Sequence, residues 1–327
     1  MKSNIIKLIC AVGLLALASC HNSDIEFPDY EGGTTVYFPY QYPVRTIRLC
    51  PDEGDTKLDL EHKCQILATF GGSYNGSNGT VQVAVDNTLC NNLFFEDGVS
   101  PVKAMPAEYY QLSTTSLDFN GTMNGRTTVT LTDAFFKDPD AVKVTYVIPL
   151  VMTSQTGFGK ILSGTALEGQ SGSRCDESIW EVKPMDYILY CVKFQNKYSG
   201  WWLTNHSLST DDIEKAQTVE IKSKSLDECI YTVSYQDNDQ ILTADLLLSF
   251  SGDNCKISSL TPGVTASGSG SWAENSEKKA WGDKDRNGME LQYSVTFGDK
   301  TYSEHEKLVW QRSGLKPVEE FSPIYVK

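Results

Sequence analysis

Short runs of β-branched and aromatic residues, separated by turn-forming residues, extend along nearly the whole chain after residue 33. Thr80–Val85 places its apolar residues at odd positions, the period of two expected of a strand with one buried face. The polar segments Gln236–Asp239 and Gly298–Lys300 each lie between two such runs, so two hairpins are predicted. No strand–helix–strand pattern and no internal repeat is visible. The pattern therefore predicts an all-β chain of antiparallel strands.

A stretch rich in Gly and Ser, Gly164–Glu177, divides this pattern into two halves. The 327-residue chain is long enough for two domains of ordinary size. Short strands at close spacing in the second half suit an antiparallel barrel or sandwich. The predicted organisation is a signal peptide at 1–19, an acidic tether at 20–33, a first β domain at 34–160, a linker at 161–184 and a second β domain at 185–327.

The first 20 residues match the pattern of a bacterial lipoprotein signal. Lys2 and Lys7 precede an apolar run, Leu8–Leu17, and the small residues before Cys20 complete the pattern. At about 1.5 Å per helical residue this run is too short to cross a hydrocarbon core of ~30 Å. We expect cleavage after Ser19, acylation of Cys20 and membrane attachment through that lipid. The alternative is an ordinary secretory signal with a chance cysteine.

The segment that follows Cys20 is acidic and rich in turn-forming residues. Its acids Asp24, Glu26, Asp29 and Glu31 resemble the acidic stretch that directs Bacteroidota lipoproteins to the cell surface. The resemblance implies an outer-membrane, lipid-anchored protein that faces outward. The alternative is a charged linker with no role in sorting.

The balance of charge restricts the classes of partner. The chain has 28 Lys and Arg against 42 Asp and Glu, a net charge of −14. Loss of residues 1–19 would remove two lysines and no acid, which makes the remainder still more acidic. Nucleic acid is not an expected partner, because phosphate binding depends on clustered basic residues. Neutral polymers such as glycans stay open.

The nine cysteines do not form a recognisable site. Their spacing is irregular and no C-x-x-C occurs, so neither a zinc site nor a disulfide framework is indicated. Most are expected to be buried as small apolar residues. No metal and no cofactor are predicted.

Several stretches in the first half carry a family resemblance. They are Val36–Phe38, Met105–Leu112, Thr130–Phe136 and Tyr146–Leu150. In this order they resemble the N-terminal domain of Bacteroidota outer-membrane lipoproteins from glycan-utilisation loci, some of which carry a family-18 glycosidase domain. The resemblance implies an immunoglobulin-like β-sandwich of unknown activity.

The second half resembles the uncharacterised domain that often follows in such lipoproteins. The matching residues are Asn196–Gly200, Gly268–Gly270, Trp281–Arg286, Leu291–Tyr293 and Phe321–Pro323. Gly200-Trp201-Trp202 is also similar to the glycine-x-tryptophan element of calycins, with Arg312 expected to stack on Trp201 or Trp202. Together the resemblances imply an all-β chain, an N-terminal immunoglobulin-like β-sandwich followed by an antiparallel lipocalin-like β-barrel or sandwich.

Catalytic and metal-binding motifs are weak. The Asp-x-x-Asp-x-Asp-x-Glu run of family-18 enzymes and the G-x-S-x-G elbow are both absent. His62, His206 and His305 stand alone in polar surroundings and are expected to be exposed. Asp283–Gly288 copies the first six positions of a calcium loop, but Ser294 stands where the loop needs Glu. A turn is therefore the favoured interpretation of that segment, and no catalytic residue is predicted.

Tryptophans supply the main candidate ligand contacts, because sugar faces pack on aromatic rings. Trp272 and Trp281 border a loop of small and charged residues, and Trp202 is a weaker candidate. The alternative is that these rings fill the core of the second domain.

Three function hypotheses follow from these features. The first is a surface-anchored, non-catalytic glycan-binding or glycan-utilisation accessory lipoprotein. The second is a structural component that docks to an outer-membrane transporter or a pilus-like assembly. The third is a glycoside hydrolase with an unrecognised acid pair.

Overall fold

The computed structural model describes residues 28–50, 54–316 and 319–327. Strands dominate these residues, which confirms the all-β prediction. In this part of the chain, no helix is long and apolar enough to cross a membrane. Cys20 and the signal sequence lie outside the described residues, so acylation stays a prediction.

Among the described residues, fourteen strands and two short α-helices of the first module precede the barrel. The strands are β1 (Thr35–Tyr37), β2 (Val44–Arg48), β3 (Lys63–Gly71), β4 (Thr80–Val85), β5 (Leu93–Phe94), β6 (Lys103–Ala104), β7 (Tyr110–Leu112), β8 (Ser116–Asp118), β9 (Asn124–Leu131), β10 (Tyr146–Thr156), β11 (Lys160–Ile161), β12 (Thr165–Ala166), β13 (Trp180–Val182) and β14 (Tyr187–Gln195). The helices are α1 (Lys57–Leu60) and α2 (Asp133–Lys137).

Two sheets of this module pack face to face. One has the strand order β11-β1-β3-β9-β7, and the other has the order β2-β14-β10-β4-β8. Side chains of both sheets form one buried cluster, which includes Val36 and Ile66 from the first and Ile148 and Val192 from the second. The inward positions alternate along β3 and β9, as a half-buried antiparallel strand requires.

The second sheet is covered on both faces. Its outer face carries a separate apolar cluster that includes Leu189, Cys191 and Phe321. Phe321 belongs to the last residues of the chain, and its ring meets Tyr42 and Phe95 edge-on at 5.5 and 5.3 Å between centroids. Strands buried on both faces need apolar residues at every position, which is why β10 and β14 read as nearly unbroken apolar runs.

The second module is a closed antiparallel barrel of eight strands. The strands are β15 (Gly200–Thr204), β16 (Gln217–Ser223), β17 (Glu228–Asp237), β18 (Gln240–Ser251), β19 (Asn254–Ser259), β20 (Val264–Trp281), β21 (Lys284–Phe297) and β22 (Lys300–Arg312). Both hairpins predicted from the sequence are present, as β17–β18 and β21–β22. Of the two expected architectures, the barrel is the one observed.

Sheet membership places the boundary between the modules later than the sequence predicted. Residue 185 was the expected start of the second domain, but β14 pairs with β2 and β10 of the first. The predicted linker 161–184 is also folded, because β12 pairs with β13 and Cys175 is buried in the outer cluster. A short strand, β23 (Ile324–Tyr325), pairs with β5, so the final residues belong to the first module too. The apolar run of β14 gave no signal of which sheet it joins.

One end of the barrel rests on the sandwich. Gln195 Nε2 donates to the carbonyl oxygen of Ser313 at 3.0 Å, and Asn287 Nδ2 donates to Cys50 Sγ at 3.5 Å. Cys50 packs within the barrel's own core cluster. The opposite end of the barrel, called the far end here, is formed by the turns after β17 and β21.

Candidate ligand pocket at the far end of the barrel

A pocket of about 200 Å³ opens through the barrel wall near the far end. Pairing between β16 and β17 ends at Ile221 and Tyr231, and the two strands separate beyond that point. Residues from both strands therefore border the opening, and side chains of β21 and β22 lie behind it. The lining consists of His206, Gln217, Val219, Tyr231, Thr232, Val233, Ser234, Tyr235, Tyr293 and Glu304.

Strand alternation brings polar side chains into the barrel at this level. On β22, Leu308 and Trp310 lie in the apolar core, and Glu306 and Glu304 occupy the same inward-facing positions nearer the far end. Tyr231 of β17 and Tyr293 of β21 face the same interior. The barrel thus changes from an apolar core near the sandwich to a layer of tyrosines and acids near the far end.

Glu306 is the centre of this polar layer. Its side chain is fully buried. The hydroxyls of Tyr231 and Tyr293 donate to Oε1 at 3.1 and 2.8 Å, and the Thr204 hydroxyl donates to Oε2 at 2.7 Å. His206 Nδ1 lies 3.4 Å from the same Oε2. Both carboxylate oxygens are therefore engaged, as a buried charge requires.

These contacts determine the protonation states of Glu306 and His206. Burial alone would raise the pKa of the Glu306 carboxyl, but hydrogen bonds from His206, Thr204 and Tyr293 outweigh burial and lower the pKa. The hydrogen bond to Glu306 raises the pKa of His206 to about 9. His206 Nε2 also lies 2.8 Å from Gln217 Oε1, so both ring nitrogens have an acceptor. Near neutral pH the pair is an imidazolium facing a carboxylate.

Two further groups in the pocket have no such partners. Glu304 makes no hydrogen bond or ion pair with the part of the chain that the structure describes. Burial, followed by the nearby charge of Glu306, raises the pKa of the Glu304 carboxyl, although the charge of His206 acts in the opposite direction. The Tyr235 hydroxyl is buried and makes no hydrogen bond of ordinary geometry with the described residues. Burial raises its pKa to about 12, although the neighbouring Tyr293 hydroxyl acts to lower it. The Tyr235 ring is held in place by stacking on Tyr302 at 4.4 Å between centroids.

The two acids differ in what they can do chemically. A glycosidase needs one ionised carboxylate that can approach the sugar or a water, and one protonated acid. The carboxylate of Glu306 is buried behind four donors and cannot reach a substrate without losing them. The arrangement can bind a polar ligand through Glu304, Gln217 and the tyrosines, and it lacks an accessible nucleophile or base paired with Glu304. Among the described residues, no group of three or more His, Cys, Asp and Glu side chains converges in a way that could hold a metal ion.

The predicted ligand contacts Trp202, Trp272 and Trp281 lie outside this pocket. Trp202 is fully buried in the barrel core, and Trp272 is 6% exposed. Lys197 Nζ lies 4.3 Å from the centre of the Trp272 ring near the sandwich end, where Tyr198 also packs against it. A ligand could reach neither ring without opening the core. Trp202 and Trp272 therefore fit the alternative interpretation, in which tryptophans fill the barrel core. The alternation of side chains along β15 and β20 directs both rings inward.

Trp281 lies apart from the other two. It is half-buried and packs against a small apolar cluster on the outside of the barrel, with Leu203, Ile213 and Val309. The three rings thus form no common platform, and ligand contact at Trp281 stays a prediction. The stacking expected of Arg312 is confirmed, because its guanidinium lies 5.6 Å from the centre of the Trp201 ring.

Of the segment Asp283–Gly288, only Asp283 belongs to the β20–β21 turn, and the residues from Lys284 onward are the first of β21, so the turn interpretation holds for its first residue alone. Asp285 Oδ2 accepts from Lys278 Nζ at 2.9 Å. Asn287 is fully buried, and its side-chain oxygen accepts from the Asn275 backbone N–H at 2.9 Å. The Asp285 carboxylate and the Asn287 side-chain oxygen are therefore occupied within the hairpin, while the Asn287 amide nitrogen contacts Cys50.

Sequence reasoning did not identify the polar layer. His206 is half-exposed as expected, but it is not isolated, because the fold brings it to Glu306. A signal was present in the last strand. Residues 302, 304, 306, 308 and 310 share one face, so two acids lie in phase with the apolar residues Leu308 and Trp310. Acids at core-facing positions of a strand indicate a buried polar site.

Two domain families match the chain in the order that the sequence resemblance implied. The profile of a domain of unknown function, DUF5627, matches residues 195–314, which contain the whole barrel. A profile for an N-terminal domain family matches residues 30–159. The second match stops before β14, although that strand completes the sheet of the first module.

Solved structures supply the relatives, and no curated protein matches the chain. A multidomain protein from Bacteroides ovatus that includes DUF1735 is 10% identical, with a TM-score of 0.41 over 85% of this chain and 92% of that chain. A Bacteroides ovatus protein of unknown function is 31% identical, with a TM-score of 0.82 over 91% of this chain and 100% of that chain. The chain described here therefore belongs to the same family as this last Bacteroides ovatus protein.

Proposed function

We propose that this chain is a lipid-anchored, non-catalytic accessory protein of the bacterial outer surface that binds a glycan through the far-end pocket of its barrel. The observation that carries the proposal is the pocket itself. It combines the half-buried ring of Tyr235 with exposed and half-buried hydrogen-bonding groups, next to a buried, fully engaged carboxylate.

The composition of the pocket suits a sugar. Aromatic faces pack against the C–H faces of a sugar ring, while amide and carboxylate groups take its hydroxyls. The half-buried Tyr235 supplies the ring that a ligand can reach, and Gln217 and Glu304 supply the polar groups. Tyr231 and Tyr293, 1% and 3% exposed, form the buried wall of the pocket. The volume of about 200 Å³ lies below the roughly 300–1,000 Å³ typical of drug-sized ligands, so a single sugar unit fits better than a long chain.

Binding is favoured over hydrolysis by the state of Glu306. A nucleophile or general base must have a lone pair directed at the substrate. Hydrogen bonds to Glu306 occupy both of its oxygens, and its side chain has no exposed surface. Of the three function hypotheses, the glycoside hydrolase therefore has the weakest support.

The surface location rests on the amino-terminal sequence. The lipoprotein pattern ending at Cys20 and the acidic segment behind it support attachment to the outer membrane. A Cys20→Ala variant expressed in a Bacteroides host should lose metabolic labelling by a palmitate analogue and leave the membrane fraction. Membrane retention of that variant without any label would contradict a lipid anchor at Cys20.

Ligand binding can be tested with the full mature chain on a glycan array that includes host and plant glycans. The expected result is binding to a defined group of glycans, with loss of affinity in Gln217→Ala. A Gln292→Ala variant is the matched control, because Gln292 is exposed on the outer face of the barrel and should bind as the unmodified chain does. Silence of the unmodified chain on every glycan would contradict the proposal.

Docking to an outer-membrane transporter remains a companion prediction. Crosslinking in native membranes followed by pull-down with the tagged chain tests it. Recovery of a transporter subunit would place the protein in a glycan-uptake complex, and recovery of pilus subunits would favour the structural hypothesis.

A further inference from the structure

We propose that the far-end pocket selects a sugar that carries a protonated primary amine, with Glu304 as the group that pairs with the amine. This inference rests on the proposed function, since it specifies the chemistry of the sugar that the pocket binds. It follows from the balance of charge in the pocket and from two polar groups, Glu304 and the Tyr235 hydroxyl, that make no hydrogen bond with the described residues.

The charges of the polar layer do not cancel. His206 and Glu306 form one neutral pair, in which the imidazolium lies 3.4 Å from the carboxylate. Glu304 adds a second carboxylate on the same face of β22, and no lysine or arginine belongs to the described pocket lining. At the mouth, Lys300 is already paired with Asp237. One negative charge is thus left facing the cavity.

That charge is held in an unfavourable setting. Glu304 is partly buried and lies beside the charge of Glu306, and these two effects outweigh the opposing charge of His206, so the pKa of its carboxyl is raised. A ligand cation within hydrogen-bond distance would reverse the penalty, because opposite charges in a partly buried site attract more strongly than in water. A neutral sugar would gain no comparable energy from the charge of Glu304.

The remaining contacts suit an ammonium group rather than a metal ion. An ammonium has three donors, and Glu304 together with the buried, unpartnered Tyr235 hydroxyl offers three acceptor oxygens. The described residues bring no group of three or more His, Cys, Asp and Glu side chains together here for a metal ion. The chemical class is therefore an amino sugar whose nitrogen is not acylated.

Calorimetric titration of the full mature chain at pH 6.5 with glucosamine, N-acetylglucosamine and glucose tests the inference. The three probes share one ring and differ at a single position, so only the first presents a cation. We expect glucosamine to bind on the order of tenfold or more tightly than either neutral sugar, as one charge-assisted hydrogen bond would give. Glu304→Gln should abolish this preference, while the control Glu274→Gln, altered at an exposed acid of β20, should keep it.

The titrations separate two kinds of failure. Equal affinity for all three sugars would overturn the amine inference and leave sugar binding intact. A preference for glucosamine that survives in Glu304→Gln would overturn the role of Glu304. Absence of binding by all three sugars also overturns the inference, and the proposed function falls with it only when the glycan array is silent as well. Because the ligand series is measured on the unmodified chain, the first comparison does not depend on the folding of any variant.

Discussion

Replacement of His206 by Asn tests the charge pair in the polar layer. His206 has a positive φ of 53°, a backbone region in which Asn is well tolerated, so the change adds little backbone strain. The Asn amide can still donate near the position of Nδ1, but it carries no charge. The variant therefore removes the imidazolium while keeping a donor toward Glu306.

The expected loss follows from the pKa of His206. A rise from the ordinary 6.5 to about 9 corresponds to roughly 3 kcal/mol if the pair were fully shielded from water. Because the His206 side chain is 45% exposed, solvent screening reduces the expected difference in unfolding free energy to about 1–2 kcal/mol.

The pH dependence of this difference has a defined sign. A raised histidine pKa stabilises the folded state fully below pH 6.5, and the stabilisation is lost as the pH rises through about 9. The lowered pKa of Glu306 stabilises above its ordinary value of 4.5, and this is lost as the pH falls below that value. The difference between the unmodified chain and His206→Asn should be largest between pH 4.5 and 6.5 and should vanish above pH 9.

Urea unfolding followed by tryptophan fluorescence at pH 5.5, 7.5 and 9.5 measures this difference. The signal reports mainly on the barrel, because Trp180 is the one tryptophan of six outside residues 200–312. His305→Asn is the control, since His305 pairs with Glu290 on the exposed outer face and should cost little at any pH. A His206→Asn difference that is constant from pH 5.5 to 9.5, or that grows with pH, would refute the charge-pair argument.

The remaining predictions concern stability. Arg312→Met should lower barrel stability by about 0.5–1 kcal/mol through loss of the contact with Trp201. Thermal melting measures this, with the exposed Lys256→Met as the control, and an unchanged melting temperature would contradict a stabilising contact. Phe321→Ala should cost about 3 kcal/mol at the buried end of the tail, and limited proteolysis should then cut the tail faster. Val326→Ala, at a half-exposed site, should not change the cleavage rate, and equal rates for both variants would show that Phe321 does not anchor the tail.

Local patterns were sufficient for much of the fold. Polar turns at 236–239 and 298–300 identified two hairpins, because turn chemistry and strand alternation act over a few residues. The partner of β14 could not be predicted in this way. A strand buried on both faces has the same apolar pattern in either module, and pairing with β2 depends on contacts across more than a hundred residues of chain.

The binding site was harder to predict for a related reason. Tryptophans next to polar loops looked accessible, yet Trp272 faces inward once the register of β20 and β21 is fixed. The inward positions of Glu304 and Glu306 were also not predicted, because charged residues in a strand are usually expected on the solvent-facing side of a barrel. Only the closure of the barrel brings Glu306 to His206 and to the tyrosines of β17 and β21.

The return of β14 and of the tail to the sandwich has a consequence for biosynthesis. A polypeptide that emerges amino terminus first cannot complete its leading sheet until Gln195 has appeared. The outer face of that sheet then stays uncovered until Phe321 and β23 follow. The barrel is continuous in sequence and depends mainly on neighbouring hairpins, so we expect it to mature before the module that precedes it. Premature termination before Phe321 would thus leave the outer face of that sheet uncovered, and until the tail arrives a chaperone could bind to this exposed face.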